Sequence, residues 1–235
     1  MSLIRLVLIA LYTAVLGSVA IILSLLLPGV PVFIRVARVW SWLILRTSGV
    51  RLVVTHSPAY DPSRPSIYMS NHQSLFDVPS LTLAIRADLK FVTKRELLFI
   101  PIFGWSLWCA GFLFVDRKRR DRAVRSLAQG SRKIRAGASI LAFPEGTRSP
   151  TGELLPFKKG AFVLALEAGA PVVPVSISGG TSVLSKGSLR IRPGVVRISI
   201  GEPIETTGMN VDDRDRLMAL VRERILTGLA GSRGL

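Results

Sequence analysis

Cysteine is nearly absent: Cys109 is the single one among 235 residues. That excludes an internal disulfide and any metal site built on several cysteines. A lone thiol in an apolar stretch reads as a small buried hydrophobe, in a chain suited to a reducing compartment. Histidine is scarce too, with only His56 and His72, so no metal centre is expected. Aromatic residues make up 7%, and no zinc-finger, RNP-like or basic-zipper pattern occurs, which argues against nucleic acid as a partner. No Gly-x-Ser-x-Gly elbow occurs, which argues against a serine hydrolase. Acidic residues are few, 15 against 31 basic ones, leaving a net charge of +16. Internal repeats, low-complexity tracts and long linkers are absent.

What is present is apolar and basic together. Hydrophobic residues make up 49% and the mean hydropathy is +0.44. That combination points to anionic membrane surfaces. Residues 6–27 carry no formal charge, and as a helix they would span about 33 Å, enough for the hydrocarbon core. The run is too long for the apolar part of a cleaved signal peptide, and no small-x-small site precedes Pro28. Pro28-Gly29-Val30-Pro31 breaks the chain. Residues 32–46 form a second helical pattern with Arg35, Arg38, Trp42 and Arg46 on one face, as in a helix lying in the membrane interface. Basic residues after the first helix outnumber Arg5 before it, so the remainder is expected on the cytoplasmic side, at the inner membrane in a bacterium. Hydropathy leaves two geometries open, a true span or a hairpin dipping into one leaflet. Residues 1–48 are thus read as membrane-anchoring helices and 49–235 as a catalytic-type α/β domain.

Within 49–235, short apolar runs alternate with helical patterns. Strands are expected at 50–55, 66–70, 89–93, 111–115, 139–143, 172–177 and 195–200, with 189–192 a weaker candidate. Helices are expected at 78–85, 121–136 and 160–168, the last two closed by Gly137 and Gly169. A final helix, with Leu217, Val221, Ile225 and Leu229 inward, follows the cap candidates Asn210 and Asp212. In the helix at 121–136, Val124, Leu127 and Ile134 face inward and Arg122, Arg125, Arg132 and Arg135 outward. Alternating strands and helices imply an α/β fold: a mixed, largely parallel sheet flanked by helices.

The stretch Asn71-His72-Gln73-Ser74-Leu75-Phe76-Asp77 joins a strand to a helix, with Pro79 tolerated in the first helical turn. On a regular helix His72 and Asp77 would point about 140° apart. Across a turn they can meet, and the carboxylate can then hold one ring nitrogen while the other acts as a base. Phe143-Pro144-Glu145-Gly146-Thr147-Arg148-Ser149 follows another strand. Its glycine, hydroxyl and arginine suit a phosphate, with Arg148 as a charged fork. Asp116-Arg117 ends a third strand, Lys94 a fourth, and Lys158 and Lys159 precede a helix start. Strand ends are where α/β sheets place their sites.

Together these stretches resemble the glycerolipid acyltransferase family, most closely its lysophosphatidic acid acyltransferases. Asn71 to Asp77 resembles the family's first motif, Phe114-Val115-Asp116-Arg117 the second, Phe143 to Ser149 the third and Val173-Pro174-Val175-Ser176 the fourth. The second motif carries Val115 where isoleucine is common. The likeness runs from residue 66 to 179. It implies transfer of a fatty acyl group from acyl-CoA or acyl carrier protein to the sn-2 hydroxyl of 1-acylglycerol 3-phosphate, giving phosphatidic acid, with no cofactor. Another lyso-lipid acceptor is the alternative. His72 would be the base and Asp77 its partner. Glu145, Gly146, Thr147 and Arg148 would hold the lysophosphatidic acid head group, with Arg117 and Lys94 as further candidates. His56 reads as solvated. Two rivals remain at this point: a covalent acyl-enzyme on Ser74, and a non-catalytic basic module that binds membrane lipids.

Overall fold

The computed structural model describes residues 2–27, 30–116 and 120–231, without the side chains of 120–125 and 127. A seven-stranded sheet has the order β1-β7-β6-β2-β5-β3-β4. The strands are β1 (Val50–His56), β2 (Ile67–Ser70), β3 (Leu89–Lys94), β4 (Leu113–Val115), β5 (Ser139–Ala142), β6 (Val172–Ser178) and β7 (Gly194–Ile200). Only the β6–β7 pair is antiparallel; the other five pairs are parallel. The helices are α1 (Ser2–Leu26), α2 (Val32–Ser48), α3 (Asp77–Ala84), α4 (Phe103–Cys109), α5 (Arg120–Arg135), α6 (Gly160–Ala168), α7 (Gly180–Val183) and α8 (Arg214–Gly231).

The period of two sorts the central strands onto two cores. Ile67, Met69 and Ile140 pack with α6 and α8, whereas Tyr68 and Leu141 pack with α2 and α3. Every residue of β2 and β5 is buried, as a central parallel strand covered on both faces requires. Gly49 ends α2 in the left-handed conformation, with φ 70°.

α2 belongs to the fold rather than lying beside it. Its Ile34, Ile44 and Leu45 are buried in the same core as β6 and β7. Arg38, expected on an interfacial face, donates to the carbonyls of Ile85 and Ala87 just past the end of α3, where a cation meets the negative helix terminus. α1 lies along the domain. Arg5 donates to Ile191 O at 3.0 Å, Trp40 Nε1–H to Thr13 at 3.0 Å, and Gly17 abuts Ile102. α1 is the one described helix long and apolar enough to cross a membrane. Its outward stripe, Leu3, Val7, Leu11, Val15, Ile22 and Leu26, is exposed.

Two further expectations differ from the structure, and one stretch had none. Residues 189–192 form no strand. Only Ile191 of the alternating apolar pair is buried, and Pro193 has no N–H to extend a ladder. Cys109 is half-buried at the end of α4 rather than fully inside. The stretch between β3 and β4, unassigned from sequence, holds a 3-10 turn (Arg95–Phe99) and α4. Ile134 is buried as expected; Val124, Leu127, Arg122 and Arg125 have side chains outside the described set.

Candidate active site

β6, β2 and β5 are neighbours, and the chain leaves each of them at the same edge of the sheet. After β2, Asn71 is buried and pins the turn to β6: its amide donates to Ile177 O at 2.9 Å and its oxygen accepts from Ile177 N at 2.8 Å. The turn then delivers Asp77 as the first residue of α3, where a carboxylate suits the helix dipole.

His72 Nδ1 and Asp77 Oδ2 are 2.8 Å apart. The same oxygen accepts the backbone N–H of Gln73 at 2.6 Å and of Ser74 at 2.8 Å. Asp77 is fully buried. That oxygen is an acceptor for all three groups, so Nδ1–H faces it as a donor and Nε2 is left as the base. Phe143 stacks on the imidazole, with ring centroids 3.9 Å apart and planes 14° apart, which fixes the ring's orientation.

Glu145 corrects one expectation. Expected to hold the head group, it is not among the residues that line the cavity beside His72. It is buried, and its two oxygens accept the N–H groups of His72 at 2.6 Å and Leu155 at 2.9 Å. It therefore clamps the His72 turn to the loop after β5. Burial pushes its carboxyl above the ordinary value, while the two backbone N–H groups oppose that shift.

Arg148, Thr147, Gly146 and Lys94 line one cavity together with His72. Gly146 adopts φ 72°, a conformation that favours glycine, and a Cβ there would lie 3.0 Å from Lys158. Arg117 lies outside the described residues. Lys186 was missed from sequence. It lines the same cavity and donates to Arg148 O at 2.9 Å. No pattern marks it, because it sits in irregular chain beyond α7. The cavity, about 640 Å³, runs from His72 between α1, α2 and α4 and is lined chiefly by apolar side chains such as Leu6, Ile9, Phe33, Phe103 and Leu107. That is the size of a small-molecule site.

The Ser74 rival is disfavoured. Its hydroxyl is buried and donates to Leu184 O at 2.7 Å. His56 is exposed, as expected. No group of three or more potential metal ligands occurs among the described residues.

The fold and site define an α/β protein with a histidine–carboxylate pair at the carboxyl edge of its sheet, opening on a long apolar cavity. The Acyltransferase family model matches residues 51–178, and the chain belongs to that family. The chain is 34% identical over 180 residues to the human 1-acyl-sn-glycerol-3-phosphate acyltransferase alpha, covering 76% of this chain and 64% of that protein. It is 40% identical over 141 residues to a chloroplastic 1-acyl-sn-glycerol-3-phosphate acyltransferase of Brassica napus, covering 60% of this chain and 41% of that one. The chain thus spans less than two thirds of the length of these curated relatives. The crystal structure of the 1-acyl-sn-glycerophosphate (LPA) acyltransferase PlsC from Thermotoga maritima matches with a TM-score of 0.75 at 27% identity, over 98% of this chain and 94% of that one.

Proposed function

We propose that this chain transfers a fatty acyl group from acyl-CoA or acyl carrier protein to the sn-2 hydroxyl of 1-acylglycerol 3-phosphate, giving phosphatidic acid. The observation that carries the reading is the His72–Asp77 pair in the wall of an apolar cavity that also holds Arg148. His72 Nε2 takes the acceptor's hydroxyl proton as that oxygen attacks the thioester carbonyl. Asp77 stabilises the imidazolium that results. The tetrahedral intermediate expels the thiolate, which takes the proton back from His72. The acceptor is itself the nucleophile, so no enzyme serine is needed. The apolar cavity suits an acyl chain. Arg148, with Lys186 and Lys94 beside it, suits the phosphate.

The membrane reading follows from α1. Its outward stripe is apolar, while its inward side keeps contact with the domain from Arg5 to Gly17. A span would have to leave the domain, so α1 is read as immersed in one leaflet, with the site at that surface. The basic residues of α2 favour the cytoplasmic leaflet.

The test is the purified chain with both donor types against a panel of lyso-acceptors, following thiol release and lipid product. Expected is phosphatidic acid formed only when the lyso-phosphate acceptor is present. Thiol release without acceptor would mean a hydrolase. Faster turnover of a lyso-aminolipid would move the acceptor assignment.

A further inference from the structure

The segment between β3 and β4 exposes large apolar side chains that neither core takes up. Phe99 is 71% exposed, Trp108 66%, Trp105 53% and Ile100 45%. Trp105 and Trp108 are three apart and share one face of α4. Phe103 and Leu107 line the cavity. α4 is therefore apolar both toward the cavity and outward, a pattern found where a helix is covered on all sides, by protein or by lipid.

Two observations say what covers it. First, α4 packs against α1, the helix whose own outward face is an exposed apolar stripe from Leu3 to Leu26. The contact is close: a Cβ on Gly17 would lie 2.8 Å from Ile102 Cγ2. Ile102 has φ 62° and ψ −59°, and Phe103 N donates to Pro101 O across it. This γ-turn is rare for a β-branched residue. It turns the chain sharply from the 3-10 turn into α4, beside α1. Second, the segment is rooted in cations. Lys94 is exposed at its start, and Arg95, also exposed and paired with Asp116 at 3.4 Å, follows it in a chain of net charge +16. Tryptophan beside basic residues is the composition of a membrane–water boundary.

We infer that the outward face of residues 95–109 inserts into the headgroup–acyl boundary of an anionic phospholipid leaflet, as a membrane contact separate from the N-terminal helices. The inference rests on the membrane reading above. On it, α4 is the wall between lipid and cavity, with its tryptophans in the leaflet and Phe103 and Leu107 inside.

The test uses the full chain carrying Cys109→Ala. Single cysteines at Phe99, Trp105 or Trp108 receive an environment-sensitive fluorophore. Reference probes sit at Leu11 on α1 and at Leu226 on α8, exposed on the other face of the sheet. Each labelled chain is bound to phosphatidylcholine–phosphatidylglycerol vesicles with and without nitroxide-bearing lipid. Expected is a blue shift and lipid quenching at 99, 105 and 108 comparable to those at 11, with neither at 226. Quenching at 11 without quenching at 99, 105 and 108 would overturn this inference and leave the membrane reading standing. Absence of quenching at all four would overturn both. A blue shift at 105 and 108 without lipid quenching would mean that protein, such as a second copy of the chain, covers the face, and would also overturn it.

Discussion

His72 donates from Nδ1 to an Asp77 oxygen that also holds the N–H groups of Gln73 and Ser74. The carboxylate is thus both the closure of the turn and the partner of the base. Its second oxygen, Oδ1, is buried without a hydrogen-bond partner. Replacing Asp77 with asparagine can leave an acceptor oxygen where the three donors converge and put the amide where Oδ1 stood.

Asp77→Asn should therefore fold but fail. The neutral amide cannot stabilise the imidazolium, and kcat should fall by about 10²–10⁴-fold, the usual worth of a positioned base. His72→Ala should lose at least as much. Melting curves and kcat decide the matter: more than a tenth of wild-type kcat in either variant would end the base assignment.

Glu145→Gln should be harmful for a different reason. Both carboxylate oxygens accept a backbone N–H, so the new amide NH₂ must face one of those donors. Activity should drop with His72 chemically intact. The pH dependence has a definite sign. Burial raises this carboxyl's pKa in the folded chain, so its contribution to stability is fully present below the unfolded value and is lost as pH rises through the folded one. The melting temperature of wild type relative to Glu145→Gln should fall as pH rises from the ordinary glutamate range toward neutrality. A rise over that interval would show that the N–H groups outweigh burial.

Much of this was legible because it rests on periodicity. All seven strands were expected within one to two residues, since β2, β5 and β6 are continuous apolar runs between turn residues. The His72–Asp77 contact was legible because a turn between them was. What sequence hid was contact across distant segments. Glu145 lies three residues before Arg148, which suggested a shared head-group role, but its partners are 73 and 10 positions away. Lys186 reaches Arg148 from beyond β6. Phe143 stacks on His72 only because β5 lies beside β2. α4 was unread because an apolar stretch with two outward tryptophans has no single-faced period. Residues 189–192 mimic a strand by alternating apolar and basic side chains, and only Ile191 finds a core.

Chain-length preference should lie in the α2 wall of the cavity. Ala37 lines it. Ala37→Phe fills space that a long acyl chain would occupy, at an overpacking cost of about 1–3 kcal/mol. The ratio of kcat/KM for long over short acyl donors should fall. An unchanged ratio would place the acyl chain elsewhere.

Removing residues 1–48 should unfold the protein rather than release it from membranes. Ile34, Ile44 and Leu45 are each at most 4% exposed in the main core. At about 1.5–3 kcal/mol apiece, they amount to roughly 5–9 kcal/mol, a large part of the roughly 5–15 kcal/mol net stability of a domain. The shortened chain should show no cooperative melting transition. A sharp transition near that of the full chain would show that α2 is dispensable.

Arg148 should read the acceptor's phosphate. It lines the cavity that holds His72, and Lys186 holds its carbonyl at 2.9 Å, which fixes the backbone from which the guanidinium projects. A phosphate monoester is a dianion near neutrality and matches the planar fork of arginine better than the point charge of lysine. Arg148→Lys keeps the charge and loses the fork. One charged hydrogen bond is worth about 1.5–3 kcal/mol, or about ten- to 150-fold in kcat/KM. The loss should be large for the phosphate acceptor and small for a neutral monoacylglycerol, if that is turned over. A purely structural role would act on both acceptors equally and lower the melting temperature. The measurement is kcat/KM for both acceptors with wild type and Arg148→Lys, beside a melting curve. An unchanged ratio between acceptors would remove the phosphate from Arg148 and leave Lys186 and Lys94 as the cations to test next.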